Sequence, residues 1–213
     1  MNLAPNGKQS NLNAEQYKLV RTPAFKKWFG DWENDPENAS KVVDENGEPL
    51  VVYRGSKSKN PNYIPHKHEL SKGIYFSTKK EVAKLYTTNF WQNWVGRVFD
   101  CFLSIKNIDY YDTLKLKSNI YQVDFKYYNN LVIESKKNNY DGIRWDNFID
   151  VPDLQSIFPQ EPIDYVATTF IVFEPNQIKL ADGSNTTFDE NSDDVRYEQG
   201  GILSNWNYSI GGL

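Results

Sequence analysis

An α+β fold is predicted on three observations. The chain carries many short β-branched and aromatic runs bounded by turn formers. It has two or three helical stretches rather than a regular strand–helix alternation. Its 213 residues suffice for one domain with an added helical region. Three of the apolar runs hold polar groups that a plain core would not want: Val51-Val52-Tyr53-Arg54-Gly55-Ser56, Gly73-Ile74-Tyr75-Phe76-Ser77 and Phe170-Ile171-Val172-Phe173-Glu174-Pro175-Asn176-Gln177.

The elements follow in order. Residues 1–16 are polar and read as a poorly ordered tail. Tyr17, Val20, Phe25, Trp28, Phe29 and Trp32 fit helical spacing in two pieces. Pro23 begins the second piece, with Thr22 as its N-cap. The aromatic stripe of that piece is expected to dock on the main domain. Asn46-Gly47, between Lys41-Val42-Val43 and Leu50-Val51-Val52-Tyr53, predicts a hairpin. Residues 57–72 form a polar, lysine-bearing loop. Gly73 to Ser77 is a short strand, and Thr78-x-x-Glu81 resembles a capping box opening a helix with Val82, Leu85 and Tyr86 on its apolar face. Val98 to Ile105 reads as a strand; 114–131 has no clear period, and 130–135 fits a helix end or a strand. Tyr140-Asp141-Gly142 turns into a further strand. Residues 147–163 read as a proline-bearing loop, and Tyr165 to Phe173 as the strongest strand. The predicted organisation is a tail and helical extension over 1–40, a main domain over 41–182 and a polar tail over 183–213.

Composition excludes several classes of function. The net charge of -4 supplies no general field for nucleic acid, although lysines cluster at Lys57, Lys59, Lys67, Lys72, Lys79 and Lys80. The single cysteine, Cys101, lies in an apolar run and reads as a buried, inert thiol. His66 and His68 with one cysteine supply too few ligands for zinc, so no metal is expected. No apolar run reaches the ~18 residues of a membrane span, and no basic start leads into an apolar stretch. A cytoplasmic monomer without membrane attachment is the expectation.

Each chemistry-bearing segment is weak alone. Arg54 could present a planar fork to phosphate or ribose, but pairing with a carboxylate is the commoner use of such a fork. Gly55 would let a ligand approach the backbone, and Ser56 adds a hydroxyl. Tyr75 could stack on a flat ring or be half-exposed core. Together, in this order, they resemble the ADP-ribosyltransferase superfamily, in its diphtheria-toxin and poly(ADP-ribose) polymerase branch. There a strand ends His-Gly-[Ser/Thr], another reads Gly-[Ile/Leu]-Tyr-Phe, and a late strand opens on a catalytic Glu. The matching positions are Arg54-Gly55-Ser56, Gly73-Ile74-Tyr75-Phe76 and the run from Thr169 to Gln177. The flanks, including Phe25 to Trp32, Ala39 to Pro49, Tyr140-Asp141-Gly142 and Asp193 to Tyr197, resemble the ADP-ribosyltransferase domain of phage and mobile-element polyvalent proteins.

The resemblance implies a split β-sheet core and NAD+ as substrate, with no metal. It assigns catalysis to Arg54, Tyr75 and Thr169, and NAD+ binding to Tyr53, Arg54, Gly55, Ser56, Gly73, Tyr75, Phe76, Ser77 and Tyr86. Nicotinamide would leave, an oxocarbenium-like sugar would form, and a protein or nucleic-acid acceptor would capture it in a bacterial host, the action of a toxin or effector. Arg54 replaces the branch's histidine, as in the Arg-Ser-Glu branch of the superfamily. Thr169 replaces the catalytic glutamate, and Glu161, Asp164 or Asp141 could supply the missing carboxylate. This replacement leaves two alternatives open: a degenerate module binding NAD+, ADP-ribose or nucleic acid, and a phage-associated structural protein. Glu174 and Gln177 read as structural.

Overall fold

The computed structural model describes residues 2–58, 73–89, 94–115, 125–149 and 164–196. Near the N-terminus are two short helices, α1 (Ala14–Leu19) and α2 (Pro23–Phe29). Asn13 caps α1 in a capping box with Gln16, and Thr22 caps α2 by accepting from Phe25 N at 3.2 Å. The described strands are β1 (Val52–Ser56), β2 (Ile74–Ser77), β3 (Thr88–Asn89), β4 (Trp94–Val95), β5 (Arg97–Leu103), β6 (Ile108–Asp112), β7 (Gly142–Ile149), β8 (Val166–Val172) and β9 (Ile178–Leu180). Helix α3 (Lys80–Lys84) follows β2, and α4 (Phe125–Lys137) precedes β7.

Seven strands form one mixed sheet in the order β6-β7-β8-β2-β1-β5-β9, in which only β6 and β7 are parallel. The sheet divides in the middle. β1 and β2 share a single paired position, Tyr53 opposite Ser77, whereas β1 pairs with β5 from Val52 to Ser56 and β2 with β8 from Ile74 to Ser77. One face of both halves feeds a common core that includes Val52, Phe76, Phe99, Cys101, Phe170 and Leu180. On the other face, α4 sets Val132 against Ile143, Trp145 and Ile171, while α2 sets Phe25, Trp28 and Phe29 against Phe102 and Phe188. The aromatic stripe of α2 therefore docks as expected. Phe25 touches Phe102 and Phe188 edge-on at 5.2 and 4.9 Å, the favoured geometry for aromatic pairs.

Several local expectations change. The turn at Asn46-Gly47 forms, but only Gly47 takes a positive φ (80°), so the type I′ geometry is absent. Asp44 organises the turn instead, its Oδ1 accepting from Asn46 N and Glu48 N at 2.9 Å each. The capping box at Thr78 does not form, because Thr78 Oγ1 accepts from Thr168 N of the sheet at 3.2 Å. Residues 147–149, expected in a loop, extend β7 through a bulge between Trp145 and Phe148, where Asn147 has a φ of 55°. The strand β6, Ile-Asp-Tyr-Tyr-Asp, escapes the sequence reading because acids interrupt its apolar pattern.

Both flanking segments, over their described residues, are more tightly held than their polarity predicts. Ala4 and Leu12 are buried near the N-terminus, and Asn185, Phe188 and Val195 near the other end. Lys179 explains part of this. Its side chain is fully buried, and its Nζ donates to the carbonyls of Ser192 (2.6 Å) and Asp194 (3.2 Å). Burial lowers its pKa from 10.5 to about 8. As pH falls from 10.5 to 8, the unfolded chain takes up this proton and the folded chain does not, so stability decreases across that window. Lys179→Met is expected to flatten that dependence, measured as urea midpoints against pH beside the wild type.

Candidate active site at the split in the sheet

The split is where the sequence-predicted residues meet. Tyr53, Arg54, Gly55 and Ser56 lie on β1; Tyr75, Phe76 and Ser77 lie on β2, after Gly73 with a φ of 75°. Arg54 Nη1 donates to the carbonyl of Tyr75 at 3.1 Å, so the two strands are bridged by a side chain where their ladder stops. Helix α3 packs against β1, β2 and β5 and brings Tyr86 to the same place. A Cβ at Gly55 would lie 1.8 Å from the carbonyl oxygen of Ala83 and 3.0 Å from Tyr86 Cβ. The approach that Gly55 permits in this structure is thus that of the chain end of α3. Gly55→Ala is expected to cost about 1–3 kcal/mol, since backbone must move to admit the methyl group. Chemical denaturation tests this, and an unchanged midpoint would contradict the packing.

Register places a row of side chains on one face of the sheet: Tyr111, Trp145, Thr169, Ser77, Tyr53 and Asp100 occupy facing positions on consecutive strands. Tyr75 packs on the same face against the cluster of Ile143, Trp145 and Ile171. Thr169 is fully buried, and its hydroxyl has no hydrogen-bond partner among the described residues. Its neighbour Thr168, pointing the other way, bonds Asp146 Oδ1 at 2.7 Å. At the far end of the row, Lys80 Nζ pairs with both oxygens of Asp100 (2.8 and 2.9 Å) and sits 5.2 Å from the ring centre of Tyr53. Burial, reinforced by Asp100, raises the Tyr53 pKa.

Other sequence candidates are engaged in the core or in local turns, or lie away from the split. Phe76 is core, 1% exposed and opposite Phe170. Ser56 Oγ accepts from Ser58 N, and Ser77 Oγ from Lys79 N, both at 3.1 Å. Asp141 lies beyond the C-terminal end of β8, its two oxygens accepting from Lys106 N and Asn107 N. Asp164 is exposed and ion-paired with Lys79, whose hydrogen bond lowers its pKa. Glu161 and the greater part of the lysine-bearing loop, with His66 and His68, lie outside the described residues. Gln177 is a turn-stabilising amide, accepting from Phe173 N and Glu174 N and donating to Ser104 O and Asp141 O.

The sequence reading missed Asp146. Burial opposes its charge, yet bonds from Arg144 and Thr168 hold its pKa below the usual carboxylate range. It faces away from Thr169, so it does not replace the absent glutamate at that position. A hollow of about 400 Å³ lies near Trp28, Tyr140, Phe173 and Glu190, past the C-terminal end of β8, whose middle residue is Thr169. Cys101 is buried, which pushes its thiol pKa up and leaves it unreactive. No group of three metal-ligating side chains occurs among the described residues.

A mixed sheet split between β1 and β2, with a helix packed across the opening, has the architecture of an ADP-ribosyltransferase-like domain. Residues 44–188 match the family described as ADP-Ribosyltransferase in polyvalent proteins, and the chain belongs to that family. A comparison with curated proteins found no match.

Proposed function

We propose that this protein is a mono-ADP-ribosyltransferase that moves ADP-ribose from NAD+ to a macromolecular acceptor, protein or nucleic acid, and releases nicotinamide. The observation that carries this reading is the convergence of Arg54, Gly55, Tyr75 and Tyr86 on the split, within the stretch that matches the family. The residues present fit a flat, polar substrate. Tyr75 and Tyr86 supply ring faces, Ser56 and Ser77 supply hydroxyls, and the Thr169 hydroxyl is a buried polar group lacking a partner among the described residues. NAD+ supplies a glycosidic bond whose cleavage develops positive charge on the ribose. The chain's own contribution is to orient that bond, exclude water and stabilise charge by fixed dipoles.

Labelled NAD+ incubated with the protein and a bacterial lysate tests this reading, with Tyr75→Ala as control. Label transfer and nicotinamide release are expected from the wild type and not from the variant. Equal labelling by both would remove Tyr75 from the site. The second reading, binding without turnover, is favoured by the partners of Thr169: its cross-strand neighbours are Ser77 and Trp145, and neither supplies a negative charge. In that case NAD+ or ADP-ribose raises the melting temperature without nicotinamide release. Among the described residues no helix is long and apolar enough to cross a membrane. The acceptor is expected to be met by a monomer in the bacterial cytoplasm.

A further inference from the structure

We infer that Arg54 is a positioning residue, which spans the split in the sheet and fixes the backbone of Tyr75, rather than a residue that grips the dinucleotide. As it concerns the same site, the inference rests on the function proposed above. With Tyr53 opposite Ser77, an unbroken antiparallel ladder would set Gly55 opposite Tyr75, but the pairing stops after one position. The Tyr75 carbonyl is left facing the gap, and Arg54 Nη1 donates to it at 3.1 Å. A guanidinium thus stands where a backbone N–H would otherwise close the ladder.

Direction supports the assignment. Arg54 sits opposite Phe99, on the face of the sheet that builds the shared core with Phe76 and Phe170. Tyr75, Ser77 and Thr169 point to the other face. Arg54 therefore reaches the site through the plane of the sheet, at the level of the backbone. The chemistry suits arginine: its fork is rigid and permanently charged, so it holds a carbonyl at fixed distance where a flexible ammonium would let the gap vary. The width of the gap sets where Tyr75 stands relative to Gly55 and Tyr86.

Hydrogen exchange without NAD+, melting curves and steady-state turnover are measured for the wild type, Arg54→Ala and Arg54→Lys. In Arg54→Ala the β2 amides, Tyr75 to Ser77, are expected to exchange about tenfold faster, as suits loss of a charge-assisted bond inside a sheet. Arg54→Lys should regain part of that protection. It should lower kcat while leaving KM for NAD+ within about threefold, the pattern of a misplaced rather than a missing contact. Unchanged β2 exchange in Arg54→Ala would overturn the inference. So would a KM for Arg54→Lys raised about tenfold or more at constant kcat, which marks direct substrate contact. If Arg54→Ala does not fold, the lysine variant carries the exchange measurement. If the wild type turns over no NAD+, the proposed function fails, and exchange alone decides whether Arg54 holds the split.

Discussion

Thr169→Val is expected to make the protein more stable and less active. The side chains are nearly isosteric, so packing against Trp145 and Ser77 on the flanking strands is kept. What is lost is a buried hydroxyl with no partner among the described residues. Leaving such a group unsatisfied costs about 1–3 kcal/mol, so valine should raise the unfolding free energy by roughly 1 kcal/mol. A fold retains that penalty where the missing partner arrives with a ligand. If the Thr169 hydroxyl meets the substrate, nicotinamide release should fall by ~10², the scale for removing one preorganised polar group from a transition state. Melting curves and release assays on the same preparation give both signs. A gain in stability with unchanged release would make Thr169 a sheet residue and leave the chemistry to others.

The sequence made the site legible in part, and the reasons differ by residue. Tyr75 could be placed because alternation along a short strand is strict, and the structure puts it on the face away from Phe76. Thr22 and Pro23 announced α2 because cap and ring act within a few residues. The reason for Gly55 was not legible. It depends on Ala83, nearly thirty positions later, and no local pattern encodes that approach. Asp146 was hidden for a similar cause: its partners Tyr110 and Thr168 come from two other strands. The polar end of the chain misled because composition registers few apolar residues, yet Phe188 and Val195 suffice when a buried lysine holds the backbone between them.

Arg21→Ala is expected to be strongly destabilising, at about 3–5 kcal/mol, because it strips a buried carboxylate of its ion partner. Glu48 is fully buried, and Arg21 Nη2 bonds its Oε1 at 2.9 Å. The other oxygen of Glu48 has no hydrogen-bond partner among the described residues, so little there compensates the charge once Arg21 is gone. Arg21 also pairs with Glu33 at 3.1 Å, donates to Tyr17 O at 3.0 Å, and lies over the rings of Tyr17 (3.5 Å) and Trp32 (4.9 Å). Residues 17–33 thus grip the turn that precedes β1, and through it the strand bearing Arg54 and Gly55. These gripping residues precede the family match at 44–188, so the stability of the matched region draws on the helical extension before it. Urea unfolding of Arg21→Ala, Glu48→Gln and the double variant measures the coupling. Glu48→Gln removes the charge that Arg21 balances, so the double variant should regain most of the loss. Additive costs would show that packing over Tyr17 and Trp32, rather than charge, fastens the extension to the domain.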